Sequence, residues 1–505
     1  MKPDYDSVII GGGLGGLATA ALLSRQGKRV LVLERYKQVG GYASNFQRGG
    51  FTFDVSLHAM NGMTPGTPSY RCLQDCGIAD KVTFLPQKTV YRLVTRQGDL
   101  IVRHEGIDAY QQFLCERYPQ EAENIRQLFS AAGKMYQQLS GFVQSPDPFW
   151  WKVLSTPLRF PRLMRYDNDT VDQFFSRFTQ HPELKEILAA QWPYYGLPPE
   201  QLAYSYFSYP FFDYLAHGGY SVKGGSQSLS DALAESVRAA GGSIETSRSV
   251  IQIHHQNGQV TGLTSKKIGD IRTQHVISNI SPQATVQLAG RDAFPASFLN
   301  KLDNMQPAMS AFQIYIGLDC PLSTFGIGPD EYSVFFCDGL SSSSQFQQMC
   351  SAPEQINFRD TGWFLNLFTN VDPGLAPAGK STIGIIALVS GKHWQQLQKN
   401  EYQARKTAMT EALLTQLEQR FPGIRSHIEV LEAGTPKTMT TYTGNYMGSI
   451  NGFAQTTDQA GVWRRFPMRY PLKGLYQVGA WTFPGGGYVG AMLSARMLVD
   501  RYFRR

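Results

Sequence analysis

The residues Gly11-Gly12-Gly13-Leu14-Gly15-Gly16 contain a G-x-G-x-x-G spacing, a pattern suited to holding a pyrophosphate against main chain. In such a pattern Gly11 makes the tight turn, Gly13 lets backbone approach the phosphates, and Gly16 allows a helix to pack closely on a strand. The apolar run from Ser7 to Ile10 precedes the cluster. A helical stretch from Leu17 to Gln26 and a second apolar run from Arg29 to Leu33 follow it. The order strand, turn, helix, strand is a βαβ unit, in which the free N–H groups at Leu14 and Gly15 face an anion. Glu34 closes the second strand at the distance where a carboxylate accepts hydrogen bonds from ribose hydroxyls, with Arg35 beside it. A negative charge there disfavours a 2′-phosphate, and hence NADP. The competing reading is a structural glycine turn followed by a surface acid.

Two further glycine-rich stretches complete the pattern. Gly40-Gly41 is followed by Tyr42-Ala43-Ser44, and Gly474 to Gly490 precedes a final helix. With Gly50-Phe51-Thr52-Phe53-Asp54, Gly224-Gly225, Leu229 and Ser278-Asn279, these motifs make the chain resemble, along nearly its whole length, the phytoene desaturase, carotenoid isomerase and retinol saturase family of FAD-dependent oxidoreductases.

The resemblance implies an α/β fold: a Rossmann-like FAD-binding domain of the glutathione-reductase type with a discontinuous α+β substrate domain, as in amine oxidases and carotenoid desaturases. It implies FAD as cofactor, with Gly40, Gly41, Tyr42 and Ala43 along the pyrophosphate and flavin. It also implies that Gly479, Ala480, Gly487, Tyr488 and Val489 cross the flavin, and that the helix after Gly490 directs its positive N-terminus at the pyrimidine oxygen. Many related flavoproteins carry an acid where Ala480 follows Gly479, so the ribityl contact differs here. Val250 matches the position whose backbone holds the adenine, and it fits ordinary core equally well.

Candidates for the chemistry itself are sparse. His58 follows Phe53-Asp54-Val55-Ser56-Leu57, where retinol saturases carry a matching histidine. It is either a proton donor or polar guide beside the flavin, or a hydrogen-bonded core histidine. Asp54 reads as structural. No Ser-His-Asp order or H-E-x-x-H motif supports hydrolase or zinc chemistry, and no metal is expected.

Gln191 to Tyr220 carries Trp192, Tyr194, Tyr195, Tyr204, Tyr206, Phe207, Tyr209, Phe211, Phe212 and Tyr214 with few charges. That density suits either a tunnel for an extended polyene or a packed domain interface. Phe149 to Tyr166 mixes Trp150 and Trp151 with Lys152, Arg159, Arg162 and Arg165 and has no acid. It reads as a membrane-facing segment in short helical pieces broken at Pro157 and Pro161, or as an ordinary basic surface.

The elements that position these residues are legible in outline. Thr89 to Arg103 reads as a hairpin. Ile125, Leu128, Phe129, Ala132, Tyr136 and Leu139 mark one face of an amphipathic helix, and Ser230 to Ala240 reads as a helix closed by Gly241-Gly242. Ser243 to Ile253 reads as a strand, Asn257-Gly258 as a hairpin turn into Val260 to Thr264, and His275 to Ser278 as another strand. We place the FAD-binding domain at 1–86, 213–306 and 453–505, and the substrate domain at 87–212 and 307–452.

At 505 residues, with 42% hydrophobic and 17% charged residues, the chain has the composition of a large globular protein. Its net charge of +7 suits anionic lipid and nucleic acid alike. The apolar pocket selects the partners: a polyene substrate and a membrane surface, with no nucleic acid. The six cysteines lack a C-x-x-C pair and read as reduced thiols, and the first residues lack a basic signal region. A cytoplasmic protein peripherally attached to a membrane is expected.

Three reactions fit: desaturation, saturation, and cis-to-trans isomerisation of a polyene, with carotenoid isomerisation placed first. A flavin amine oxidase and a non-catalytic carotenoid-binding flavoprotein are the alternatives. The sequence leaves the oligomeric state open.

Overall fold

The computed structural model describes residues 3–56, 59–95, 98–145, 147, 149–337 and 341–503. His58 therefore lies outside the described residues. A five-stranded sheet, wholly parallel, has the order Ser243–Glu245, Val30–Leu33, Ser7–Ile10, Val276–Ser278, Leu475–Gln477. Val8, Ile9, Leu31, Val32, Val276 and Ile277 are all buried, as expected of strands covered on both faces. One covering helix, Leu14–Arg25, is buried from Leu14 through Ser24. Its alanines at 18, 20 and 21 let it pack between Tyr488–Tyr502 and Ser226–Ala239.

Register sets the site. Ile10 lies opposite Leu33 and Ser278, and Ser278 opposite Gln477, so all these strands end at one edge. The residues that follow, Gly11, Glu34, Asn279 and Gly479, are delivered together at the carboxyl end, where open α/β sheets bind ligands.

A second, mostly antiparallel sheet of seven strands runs Ile428–Gly434, Ser310–Leu318, Ser381–Val389, Trp363–Asn366, Ser333–Phe336, Thr89–Thr95, Gly98–Arg103. The last two strands are the expected hairpin. The amphipathic helix is Ala122–Gln144. It buries Ile125, Leu128, Phe129, Ala132 and Leu139 and packs on the aromatic helix Tyr204–His217. Asn257 and Gly258 both have positive φ, of 50° and 72°, and turn the meander strand Val250–Gln256 into Gln259–Ser265.

Three expectations are corrected. The stretch from Ser243 to Ile253 is two strands, not one. Ser243–Glu245 joins the parallel sheet and Val250–Gln256 a separate three-stranded meander, with Ser247 at positive φ between them. The last helix begins at Tyr488, before Gly490, because Gly487, with φ of 82°, is already its N-cap. The segment at 149–166 forms two short helices, Phe149–Arg159 and Pro161–Tyr166. Only Pro161 starts a helix, while Pro157 is accommodated inside one. No helix among the described residues is long and apolar enough to cross a membrane.

Candidate functional site

One continuous cavity of about 420 Å³ runs from the carboxyl edge of the parallel sheet into the aromatic helices. Gly11, Gly13, Leu14, Gly15, Glu34, Arg35, Gly40, Gly41, Tyr42, Ala43 and Val250 line it, as do Ala480, Gly487, Tyr488 and Val489. Gly16 and Gly479 stand behind that lining and act through packing. A Cβ on Gly16 would lie 2.1 Å from the Gly11 carbonyl oxygen, and one on Gly479 would lie 2.4 Å from Asn279 Oδ1. Close helix-on-strand approach is thus what Gly16 supplies, as its place in the motif predicts.

Glu34 is 8% exposed and holds the turn together. Its Oε2 accepts the Gly12 N–H at 2.8 Å and its Oε1 the Tyr36 N–H at 2.7 Å. Burial pushes its carboxyl above the usual range, opposed by those two bonds and by the nearby Arg35 charge. Each oxygen keeps a lone pair for a ribose hydroxyl. Arg35 donates to the carbonyls of Thr440 and Thr441, tying this corner to the helix Pro436–Thr443.

Beyond the glycines, Gly40 N–H donates to the Gly12 carbonyl at 2.8 Å, which brings the first two glycine blocks into contact. Tyr488 joins the third: its hydroxyl donates to the Tyr42 carbonyl at 2.8 Å and reaches Ser226 Oγ at 3.0 Å. Ser226 in turn gives both its N–H and its hydroxyl to Asp54 Oδ2, at 2.7 and 2.6 Å. Asp54 is therefore a latch between a hairpin and a helix start, in keeping with its structural reading. Burial raises the Tyr488 phenol well above its ordinary value, so it stays a neutral donor.

These features fit FAD. Helices starting at Leu14 and Tyr488 both open on the cavity with no acid in the first turn, so each presents free N–H groups and partial positive charge. At Gly487 a Cβ would meet nothing within 4 Å, which leaves clear space where the backbone faces the cavity. Among the lining residues that the sequence reading of the site did not assign are Asn279, Arg248 and Arg465. Asn279 was legible only as a motif member, yet its side chain fills the gap between Gly13, Gly15 and Gly479. Its place at a strand's carboxyl end was the available signal. Arg248 and Arg465 carried no local signal at all.

The aromatic stretch divides by helical face. Tyr206, Tyr209, Pro210 and Tyr214 line the cavity, whereas Tyr204, Phe207 and Phe211 fill the core, with Tyr204 stacked on Phe174 at 3.6 Å. The stretch therefore has one face on the cavity and another in the core of the helices. Among the described residues, Asp319, Cys320 and His427 could converge on a metal ion, but His427 Nδ1 is already 2.8 Å from Asp319 Oδ1 and this group is not part of the cavity.

The model of the family described as flavin containing amine oxidoreductase matches residues 14–501. The chain belongs to this family. The flavoenzyme binds FAD and is an FAD-dependent oxidoreductase of the amine oxidase and carotenoid desaturase group. It is 24% identical to the chloroplastic prolycopene isomerase of Daucus carota over 506 residues, covering 99% of this chain and 80% of that one. It is 25% identical to a 4,4'-diapophytoene desaturase of Methylomonas over 523 residues, with coverages of 98% and 95%. To the all-trans-retinol 13,14-reductase of Danio rerio it is 24% identical over 541 residues, with coverages of 99% and 86%. The crystal structure of an oxidoreductase from Methanosarcina mazei shares the fold, with a TM-score of 0.63, 19% identity and coverages of 98% and 99%.

Beside the flavoenzyme's cavity, Asp213 is fully buried. Its Oδ2 accepts from Asn61 and its Oδ1 from the Tyr136 hydroxyl, both at 2.6 Å, and His217 Nε2 lies 3.9 Å away. Burial raises the pKa of this carboxyl, while Tyr136, Asn61 and His217 pull it down. A carboxyl whose folded value is raised binds its proton more tightly when folded. Its contribution to stability is therefore full below about pH 4 and is lost as pH rises through the folded value. Asp213→Asn removes that titration. Thermal melts from about pH 4 upward should show wild type losing stability relative to the variant, and parallel curves would refute the assignment.

Proposed function

We propose that the flavoenzyme acts on the carbon–carbon double bonds of a long apolar polyene, with cis-to-trans isomerisation of a carotenoid as its reaction. The observation that carries this reading is the continuity of the cavity. The glycine-walled cofactor half opens directly into a passage bounded by Leu139, Tyr195, Tyr206, Tyr209 and Leu163. An extended conjugated chain packs on such ring faces, and a rigid apolar passage aligns one of its bonds with the cofactor. When bound, FAD supplies hydride exchange at the flavin. The chain's own contribution is to hold it by backbone donors, to orient the polyene and to exclude water.

The similarity to a prolycopene isomerase, a diapophytoene desaturase and a retinol reductase supports the polyene class. An amine substrate is disfavoured by charge. Among the described residues lining the cavity, the carboxylate is Glu34, at the dinucleotide end, while the aromatic half presents the cation Arg465. The decisive experiment incubates the enzyme with FAD, dithionite and lipid-dispersed poly-cis lycopene, phytoene or retinol, and separates the products. Conversion of the poly-cis substrate to a trans isomer without change in mass is expected. Recovery of all three unchanged would refute the reading.

A polyene is dissolved in lipid, so the same reading puts the enzyme peripherally on a membrane, and we keep the domain ranges given above as part of the proposal. Trp151, Leu154 and Leu158 form one helical face and are 57, 72 and 89% exposed, with Met164 nearby at 48%. Leu163, in the adjoining short helix, lines the cavity, so the exposed apolar face and the passage share a segment. The double variant Leu154→Glu, Leu158→Glu should bind anionic vesicles at least about tenfold more weakly in co-sedimentation. Unchanged binding would remove this segment from the membrane proposal.

A further inference from the structure

Among the described residues Arg465 forms no ion pair. It is 9% exposed, and its Nε and Nη1 are buried without a hydrogen-bond partner. Its faces are covered: the guanidinium carbon lies 5.0 Å from the Tyr206 ring centroid and 5.3 Å from that of Phe483. Ring faces attract the charge but cannot accept hydrogen bonds from donors that lie in the guanidinium plane.

The acid acting on the Arg465 charge, Asp167, is paired with Arg464 through Oδ2, while its Oδ1 is buried without a hydrogen-bond partner. Asp167 Oδ2 is 2.9 Å from Arg464 Nη2, and that same nitrogen donates to the Asp167 carbonyl at 2.7 Å. Two arginines against one aspartate leave one positive charge over, and a buried, uncompensated cation costs several kcal/mol. Burial lowers the Arg465 pKa to about 10, which still leaves it charged at neutral pH. The arrangement is built, because a Cβ on Gly485 would lie 2.5 Å from Arg465 Nη1.

Its position assigns it to the substrate end. Tyr206 belongs to the aromatic helix and is 5.8 Å from Tyr195, while Phe483 meets Phe142 at 6.4 Å. All of these belong to or pack against the core of the aromatic helices, and Arg465 lines the cavity between them.

We propose that the passage prefers a polyene bearing an oxygen function, a carboxylate or carbonyl, that accepts hydrogen bonds from Arg465, which makes Arg465 a specificity-determining residue. This rests on the polyene reading and adds to it a preference among the chains the passage admits. The test titrates the FAD-loaded enzyme with retinoic acid, retinal and the matching hydrocarbon axerophthene, following flavin absorbance and fluorescence. Wild type should bind the carboxylate about ten- to a hundredfold more tightly than the hydrocarbon, the range of a charge-assisted hydrogen bond. In Arg465→Met the ratio should fall to about one, and Arg465→Lys should restore part of it.

Equal binding of the three ligands by wild type would overturn the proposal, and does not depend on any variant folding. So would an Arg465→Met enzyme that keeps its preference, or one whose preference is intact while its flavin midpoint potential moves, which would assign Arg465 to the cofactor. If FAD stays bound and none of the three ligands binds, this proposal fails, while the polyene reading stands or falls on turnover of lycopene, phytoene and retinol.

Discussion

Gly15→Ala is expected to yield a protein that purifies with little or no flavin absorbance. The added methyl would lie 2.6 Å from Asn279 Oδ1, 2.8 Å from Gly479 Cα and 2.9 Å from Gly479 N. The last two atoms are backbone, so they cannot swing aside as a side chain would. Gly479 is itself pinned by its N–H bond to Ser494 Oγ at 2.7 Å. Relief requires the first helix to move away from the strand end that carries Gly479, and that opens the cradle between the first and third glycine blocks. Overpacking of this kind costs about 1–3 kcal/mol, or about five- to a hundredfold in cofactor affinity. Absorbance of the purified variant, followed by titration with added FAD, measures it. Full occupancy at wild-type affinity would show that the two blocks do not close on the cofactor together.

Glu34→Ala should be the most destabilising single change at the dinucleotide end. It strips the acceptors from the Gly12 and Tyr36 N–H groups, of which Gly12 is buried. An abandoned buried donor costs about 1–3 kcal/mol, and loss of the ribose contact removes further stabilisation linked to bound FAD. Glu34→Gln restores only part of this, because one of its two terminal atoms becomes a donor facing an N–H. The order of melting temperatures should be wild type, then Gln, then Ala, with the gaps wider at saturating FAD than in apoprotein. A Gln variant equal to wild type would mean that the carboxylate's second oxygen has no partner that matters.

These two residues also show how far the sequence reached. Gly15 and Glu34 could be placed because their function is local. A turn, a helix start and a strand end lie within a few residues of each other, and the glycine spacing encodes backbone geometry directly. The aromatic stretch was legible as composition but not as direction. Which rings face the cavity depends on the helical phase of Tyr204–His217 against Ala122–Gln144, and a run in which half the residues are Tyr or Phe, spread around the helix, gives no clear periodicity to read.

Arg465 was beyond reach for a different reason. In sequence it is one of two adjacent arginines, and only the fold shows that Arg464 pairs with Asp167 while Arg465 faces the aromatic half of the cavity, away from Glu34. The sequence by itself determined a dinucleotide site, because phosphate recognition is written in short-range backbone constraints on glycine, its family resemblance pointed that site to FAD, and it determined the approximate course of the elements around it. The tertiary structure alone decided the register by which the glycine blocks meet on one cavity, which aromatic faces continue it, and that, among the described residues, the buried Nε and Nη1 of Arg465 have no hydrogen-bond partner. Those features arise from register, helical phase and the pairing of charges, which are set by contacts between segments and carry no signature within any one of them.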